Sequence, residues 1–272
     1  MRAIVLAAAA PFLTGCTATL LYEPQVLVSP YLAVYRLSGD VAMQSDPGGG
    51  APVQDNSPQN LRLFGQERHE DDIGVRAEIG DGFGGLRLDY FRLDMNTTRH
   101  KALEDDWGQL LQGDEVRMPV EMDEFRLGYL EPFWDGKVNV RERQISYKFA
   151  GGAVIAHRGM HQRAKTTDGL RQQTVSIAGD VGYAAFRARA SWQNLALDLD
   201  YALSPDLQLG GDWEGTQQDI EVRASYALPM RDVTFFAGYR YSTLEAQGRE
   251  QNTDYSADLR LDGYQFGLMV NF

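Results

Sequence analysis

The chain has 272 residues, a formal net charge of −12 at neutral pH, a mean hydropathy of −0.37 and a single cysteine. Its length suits one domain, and one cysteine excludes a disulfide within the chain. The acidic balance argues against nucleic acid as a partner, because phosphate binding needs clustered Lys and Arg. No stretch of about 18 or more apolar residues follows the N-terminus, which excludes a spanning α-helix.

The first residues have the pattern of an export signal. Met1-Arg2 supplies positive charge, and the run from Ala3 to Leu13 is mostly apolar but too short to span a membrane. Leu13-Thr14-Gly15-Cys16 follows and resembles the lipobox of bacterial lipoproteins, in which the Cys is acylated and becomes the new N-terminus. The resemblance implies a signal peptide over residues 1–15 and a lipid on Cys16. An ordinary cleaved signal with an incidental Cys is the alternative.

Residues 16–30 carry two prolines and are predicted to form a periplasmic tether. From residue 31 to 272, short segments alternate apolar and polar side chains and are separated by turn residues. This pattern is typical of β-strands whose two faces meet different surroundings. In the clearest segment, Leu197 and Leu199 lie on one face and Asp198 lies on the other.

Eleven alternating segments can be followed along the chain: residues 73–79, 86–90, 125–129, 145–149, 175–181, 186–192, 195–203, 207–213, 220–228, 233–241 and 264–272. One more strand is expected near 31–43 or 61–66, which brings the count to twelve. The count is ten if the weakest segments are not strands. A change in the parity of the apolar face near Gly182 predicts a turn there.

The last segment ends on an aromatic residue and has an apolar residue at every second position: Tyr264, Phe266, Leu268, Val270 and Phe272. This resembles the C-terminal signature of bacterial outer-membrane β-barrels, which the barrel assembly machinery reads in that family. The resemblance covers about nine residues. It implies a transmembrane antiparallel up-and-down β-barrel. Together with the segments counted above, the prediction is an all-β barrel of twelve strands, with ten as the alternative, over residues 31–272. The implied location is the bacterial outer membrane, with its lipid and the assembly machinery as partners.

Loop lengths favour a membrane barrel over a soluble β-sandwich. If Phe272 is periplasmic, the short turns fall on the periplasmic side and the long segments fall outside, as in outer-membrane barrels. The predicted short turns are residues 80–84, 131–137, 204–206 and 229–232, and the predicted long outer segments are residues 96–119, 159–171 and 246–256. Trp192, Trp213 and Tyr241 are expected at the outer end of the apolar band.

Charged residues of both signs alternate with the apolar face. They cannot face lipid, where each would cost roughly 2–4 kcal/mol at the midplane. They are therefore predicted to line the lumen: Arg76, Glu78, Arg87, Asp89, Arg126, Lys148, Arg187, Arg189, Asp198, Asp200, Glu221, Arg223 and Arg240. One interpretation is a wet pore for small solutes. The other is a closed lumen in which Arg–carboxylate pairs neutralise one another and fill space.

An enzymatic interpretation needs a nucleophile beside a base. His157 and His161 lie in an extended segment, and the sequence places no Ser beside a His with an orienting carboxylate. No catalytic residue is therefore assigned. The acidic run Glu104-Asp105-Asp106 lacks the spacing of a known Ca²⁺ loop, so neither a metal nor a cofactor is predicted.

The sequence therefore predicts a porin-like outer-membrane (lipo)protein that is structural or a passive channel for small hydrophilic solutes. Two alternatives are left open. One is a membrane-embedded lipid hydrolase of the phospholipase or lipid A deacylase type, and the other is a barrel that binds a partner through its long outer loops. The sequence names neither a solute nor an oligomeric state.

Overall fold

A computed structural model describes residues 24–45, 53–66, 69–97, 100–141, 143–205, 208–229, 232–250 and 253–272. The strands are β1 (Gln25–Met43), β2 (Gln59–Asn60), β3 (Glu70–Gly80), β4 (Gly85–Met95), β5 (Lys101–Ala102), β6 (Glu115–Arg117), β7 (Val120–Val140), β8 (Arg143–Thr166), β9 (Gln172–Trp192), β10 (Leu195–Pro205), β11 (Gln208–Gly211), β12 (Thr216–Ala227), β13 (Val233–Glu250) and β14 (Thr253–Asn271). A short 3-10 helix covers Leu61–Phe64.

Ten of these strands form a closed antiparallel ring in the order β1, β3, β4, β7, β8, β9, β10, β12, β13 and β14. The ring closes where β14 returns to β1, with Leu27 opposite Asn271 and Met43 opposite Tyr255. Because every wall strand has two neighbours, the ring has no open edge, which is the condition for a sheet to cross a membrane. The predicted all-β antiparallel barrel is confirmed.

The barrel has ten wall strands rather than twelve, because two predicted segments are not separate wall strands. Residues 175–181 and 186–192 both belong to β9, so the turn predicted near Gly182 is wrong. The apolar side chains change face near Gly182 because they point inward, into a core, on the outer side of this position and outward, toward lipid, on its periplasmic side. Of the predicted segment 207–213, residues 208–211 form the short β11, which lies along the outer part of β9. The first strand is β1, which begins at Gln25 and so includes the end of the predicted tether.

The start of β1, the end of β14 and four connections of two to five residues lie at one end of the barrel, whereas the two longest connections, residues 44–69 and 96–119, lie at the other. Long connections are typical of the outer side of a membrane barrel, so we take the first end as periplasmic. The connections at this end are residues 81–84, 141–142, 193–194 and 228–232. Two predicted turns are wrong. Residues 131–137 lie inside β7, where Pro132 is at a β-bulge. The turn predicted at 204–206 is wrong because Ser204 and Pro205 lie at the opposite, outer end, where Pro205 ends β10.

A belt of exposed apolar side chains surrounds the wall. On β10, Leu197 and Leu199 are 53% and 40% exposed, whereas Asp198 between them is 0% exposed. On β13 the belt runs from Val233 to Tyr241, which on a tilted strand covers about 20 Å of height, close to the roughly 25 Å of a barrel's lipid-facing band. A closed sheet with such a belt has the form in which β-strands span a membrane. Among the described residues, no helix is long and apolar enough to cross a membrane.

Two of the three predicted outer aromatic positions are wrong. Trp192 pairs with Leu195 at the periplasmic end of β9. Trp213 is fully buried, and its indole N–H donates to the carbonyl of Arg158 at 3.0 Å. The predicted height of Trp192 depends on the turn at residues 204–206, which is wrong, and alternation alone gives the face of a side chain but not its height.

Beyond the belt, the strands continue outward and their inward face becomes apolar. On β9, Val175, Ile177 and Val181 are at most 2% exposed, whereas Ser176 and Asp180 face outward. This part of the wall is surrounded by water, so it has an apolar interior and a polar exterior, as a soluble barrel does. The molecule therefore has a membrane-spanning half with a charged interior and an outer half with an apolar interior.

Candidate functional site

The lumen is the candidate site, because the predicted charged residues converge there. All thirteen predicted lumen residues lie on the inward face of the wall strands. Twelve of them are buried or partly buried, while Lys148 is 43% exposed at the periplasmic mouth, 3.6 Å from Asp81. The inward alternation of β9 and β10 brings arginines and carboxylates from neighbouring strands into direct contact.

The layer nearest the periplasm is built around Arg187, which is 2% exposed. Its guanidinium donates to Asp200 at 2.6 Å and to Glu78 at 3.0 Å, and also to the carbonyl of Phe83 at 2.9 Å. Arg87 reaches the other oxygen of Asp200 at 3.0 Å. Each carboxylate is thus shared between two guanidinium groups, which neutralises this layer and fills the space between β3, β4, β9 and β10.

Arg76 connects opposite sides of the barrel. It donates to Asp89 on the neighbouring strand at 2.7 Å and to Glu221 on β12 at 2.8 Å. β3 and β12 are not neighbours in the ring, so this contact crosses the lumen. The hydroxyl of Tyr31 donates to Asp89 at 2.9 Å and completes the cluster. The lumen is narrow enough here for one side chain to bridge it.

A second layer lies further outward. Arg240 donates to Glu124 at 2.6 Å and to Asp219 at 2.8 Å, and Arg126 donates to Asp219 at 2.7 Å. Arg158, which is 0% exposed, donates to the other oxygen of Glu124. This layer joins β7, β8, β12 and β13 and again leaves each of its carboxylates paired.

Sequence reasoning missed three members of this layer: Glu124, Arg158 and Asp219. Glu124 and Asp219 lie directly before predicted segments that began at Phe125 and Ile220, and Arg158 follows the end of a segment cut at Phe149. The strands are longer than the cleanest alternation indicates. Extending the predicted segments with the same parity would have placed all three on the inward face.

Arg223 is the exception to this close pairing. It is 1% exposed and none of its three guanidinium nitrogens makes a hydrogen bond to the described residues. Its nearest charges are Asp198 at 3.6 Å and Glu221 at 3.8 Å, and it lies over the ring of Phe236. Asp198 is instead held by Arg189 at 2.6 Å. The ion pairs of Arg223 are therefore looser than those of the neighbouring arginines.

An apolar plug closes the outer half. Segments 59–66 and 101–118 fold into the mouth, where Phe64 and Trp107 meet edge to face with ring centroids 5.4 Å apart. The buried side chains of the plug are Leu61, Phe64, Leu103, Trp107, Leu110, Val116 and Met118. They pack against the inward side chains of the outer wall in one continuous core, so water is excluded there.

Hydrogen bonds fix the loops that carry the plug. The carboxylate of Asp105 accepts the backbone N–H of Ser57 at 2.9 Å, and this bond, together with one from the N–H of Asp106, lowers the pKa of Asp105. Arg171 donates to Asp114 at 2.6 Å. The acidic side chains of segment 104–114 thus serve as acceptors that hold the plug. No group of three metal-ligating side chains occurs among the described residues.

Two cavities in the lumen are lined by described residues. A vestibule of about 330 Å³ opens at the periplasmic end and is lined by polar groups that include Gln25, Ser191 and Asn271. It reaches inward as far as Glu78 and Arg189, which belong to the ion-pair layer. A cavity of about 40 Å³ lies at mid-height between Gly128 and the charged layers. Within the described residues, the paired charges and the plug separate the vestibule from the outside.

The structure brings two histidines beside polar partners on the outward wall. His161 Nδ1 lies 2.9 Å from Ser176 Oγ, and His157 Nδ1 lies 2.8 Å from Asp180. Sequence reasoning missed the Ser176 contact, because β8 and β9 pair across a hairpin whose register only the fold sets. His161 lies about six residues beyond Ile155, the last apolar outward residue of β8. That is roughly 20 Å along the strand.

The predicted assembly signature lies on the outward face of β14. Tyr264, Phe266 and Leu268 are 53%, 49% and 38% exposed, and Phe272 ends the chain at the periplasmic rim. Recognition by the assembly machinery stays a prediction. Cys16 and the predicted signal peptide lie outside the described residues.

No protein-family model and no curated protein matches the chain. Among solved structures, it is similar to the attachment invasion locus protein Ail of Yersinia pestis, with 9% identity, 90% of this chain and 99% of that chain covered, and a TM-score of 0.27. It is also similar to a FadL homologue of Pseudomonas aeruginosa, with 9% identity, 92% of this chain and 90% of that chain covered, and a TM-score of 0.28. A third similar structure is the toluene transporter TodX of P. putida, with 8% identity, 92% of this chain and 90% of that chain covered, and a TM-score of 0.25. None of these likenesses carries a statement about what this chain does.

Proposed function

We propose that the chain is a structural outer-membrane barrel with a closed lumen, which presents a folded cap at the cell surface. The belt on the wall supports the membrane-embedded part of this proposal. The paired charges and the apolar plug inside the barrel are the observation that supports the rest. A barrel that passed hydrophilic solutes would need a continuous polar path.

Two independent barriers lie along the lumen. The ion-pair layers fill the membrane-spanning half, with Arg76 and Arg240 bridging non-neighbouring strands. The plug then fills the outer half with apolar side chains around Trp107. Opening a path would need both the separation of buried ion pairs, which leaves uncompensated charges, and the exposure of an apolar core. Closure is therefore the state that the packing stabilises.

Conductance in a planar bilayer tests this proposal. The full chain, refolded and shown by its heat-modifiable gel mobility to be a closed barrel, is expected to give no discrete current steps. An open porin inserted under the same conditions serves as the positive control. Regular, uniform steps from the folded chain would refute the closed lumen and support the passive channel.

The lipid hydrolase alternative receives less support. The Ser176 and His161 pair is the arrangement it would need, since it places a hydroxyl on an imidazole. The pair lies roughly 20 Å along the strand beyond Ile155, the last apolar outward residue of β8. Acyl esters of membrane lipids lie at the edge of the hydrocarbon and would not reach it.

The surface-binding alternative is compatible with a closed lumen, because the cap is held rigidly by its core and by contacts such as Arg171 with Asp114. Acylation of Cys16 is a separate part of the proposal and rests on the lipobox alone. A lipid at that position would attach the N-terminal segment to the same leaflet that surrounds the periplasmic rim.

A further inference from the structure

One hairpin projects from the barrel into the periplasm. β7 pairs with β4 only as far as Leu130, opposite Gly85, and then continues for ten more residues to Val140. Over this stretch β7 pairs with β8, down to Val140 opposite Arg143. We call residues 133–149 the inner hairpin. It extends the wall locally beyond the rim formed by the β3–β4 turn.

The outward face of the inner hairpin is apolar and exposed. Phe133 and Trp134 are 61% and 60% exposed, and Val138 and Val140 are 45% and 47% exposed. Trp134 stacks on Phe149 with centroids 5.4 Å apart and meets Tyr147 edge to face at 6.0 Å. These side chains continue the apolar belt downward, and aromatic side chains at this height are typical of a membrane–water boundary.

Cationic groups lie just below this aromatic face. The guanidinium of Arg143 lies 4.6 Å from the ring centre of Trp192, an outward residue at the periplasmic end of β9. Arg141 is exposed at the tip, in a left-handed backbone conformation with φ of 47°. Neither guanidinium forms an ion pair with a carboxylate of the described residues; Glu142, which lies between the two arginines in the sequence, is outside that part of the chain. The phosphate groups of a bilayer lie just outside the boundary at which aromatic side chains are found, on the same side of these aromatic residues as Arg141 and Arg143. Arginine binds phosphate through paired N–H groups.

We propose that the inner hairpin is a binding site for anionic phospholipids of the periplasm-facing leaflet. Arg141 and Arg143 bind the headgroup phosphate, and the face formed by Trp134, Tyr147 and Phe149 packs against the part of the acyl chains that is nearest to the headgroup. The arginines lie on the periplasmic side of the aromatic face, just as the headgroup of a phospholipid in this leaflet lies on the periplasmic side of its acyl chains. The site is continuous with the lipid-facing belt. The inference depends on the membrane-spanning barrel and not on the closed lumen, so conductance data leave it unaffected.

Native mass spectrometry of the full chain tests the site. The folded barrel is released from nanodiscs that contain equal amounts of phosphatidylglycerol and phosphatidylcholine, and the retained lipids are counted. The wild type is expected to retain phosphatidylglycerol several-fold over phosphatidylcholine. The double variant Arg141→Gln with Arg143→Gln is expected to lose most of this preference. The control, Arg163→Gln with Arg249→Gln, removes two exposed charges at the outer end of the barrel and should keep it.

Equal retention of the two lipids by the wild type would overturn the proposal. An equal loss of preference in the hairpin variant and the control would also overturn it, because it would show a net-charge effect. Retention of a periplasmic peptide in place of lipid would assign the face to a protein partner instead. A second measurement uses brominated lipids, which quench tryptophan fluorescence on contact. Trp134→Phe should remove a large part of the quenching, and unchanged quenching would contradict the lipid contact.

Discussion

At the scale of single residues, the inward or outward direction of each side chain decides its energetics. Asp200 contacts Arg187 and Arg87 in the lumen, while Leu199 beside it is exposed on the belt. Because the side-chain period of a strand is two, a shift of one residue would exchange the entire set. The charged residues thus lie where partners are available, and the leucines lie where lipid replaces water.

The first prediction compares these two neighbours. Leu199→Arg places a charge in lipid and should lower the free energy of unfolding by about 2–4 kcal/mol. Asp200→Asn keeps an acceptor oxygen beside Arg187 and should still insert and fold. Urea titration of the refolded barrel, followed by heat-modifiable mobility, measures both. If Leu199→Arg were silent and Asp200→Asn failed to assemble, the register would be wrong.

At the scale of elements, the plug is a tertiary structure made of short pieces. Segments 59–66 and 101–118 contain only two-residue and three-residue strands and one short helix, so they have little local stability. They are held because Trp107 and its neighbours bury their side chains in the outer core. Single apolar side chains in this plug therefore control its order.

Trp107→Ala should loosen the plug without unfolding the wall. The buried indole is replaced by a cavity, which costs on the order of 3–5 kcal/mol when the surroundings cannot collapse. Limited proteolysis of intact cells or proteoliposomes should then cut within residues 101–118, whereas the wild type resists. Leu111→Ala, at a position 48% exposed in the same loop, is the matched control and should resist like the wild type. Equal cleavage of both variants would argue against the plug.

At the scale of the whole molecule, the lumen connects strands that the ring keeps apart. Arg76 joins β3 to β12, and Arg240 joins β13 to β7. These ties brace the wall across its diameter, in addition to the ladder hydrogen bonds along it. The ring and its contents are therefore expected to unfold together.

Arg76→Met removes one of these braces and leaves Asp89 and Glu221 with the longer contacts to Arg87, at 3.5 Å each. The expected cost is about 3–5 kcal/mol, because two buried carboxylates lose their closest cation in a closed lumen. Arg36→Met is the control: its pair with Asp262 is on the wall exterior, where Arg36 is 40% exposed, and its loss should cost less than about 1 kcal/mol. Urea unfolding of both variants checks this. Similar midpoints would show that the cross-lumen contact adds nothing to stability.

The sequence by itself determined the class of fold and the two faces of the wall. Alternation at Leu197, Asp198 and Leu199, repeated along the chain, requires an apolar outer side and a polar inner side, because charges in lipid are costly. The same logic placed the predicted charged residues in the lumen. It could not place the cap, since Val175 and Ile177 show the same alternation as the belt residues but face inward.

Only the tertiary structure decided the number of strands, the height of each side chain and the closure of the lumen. Whether an apolar face meets lipid or a core depends on how far the strand extends past the membrane, which local sequence does not state. The partners of Arg76 are 13 and 145 residues away, and the loops that plug the mouth have no periodic pattern. Such contacts exist only once the ring has closed, because closure is what brings distant strands to a common lumen.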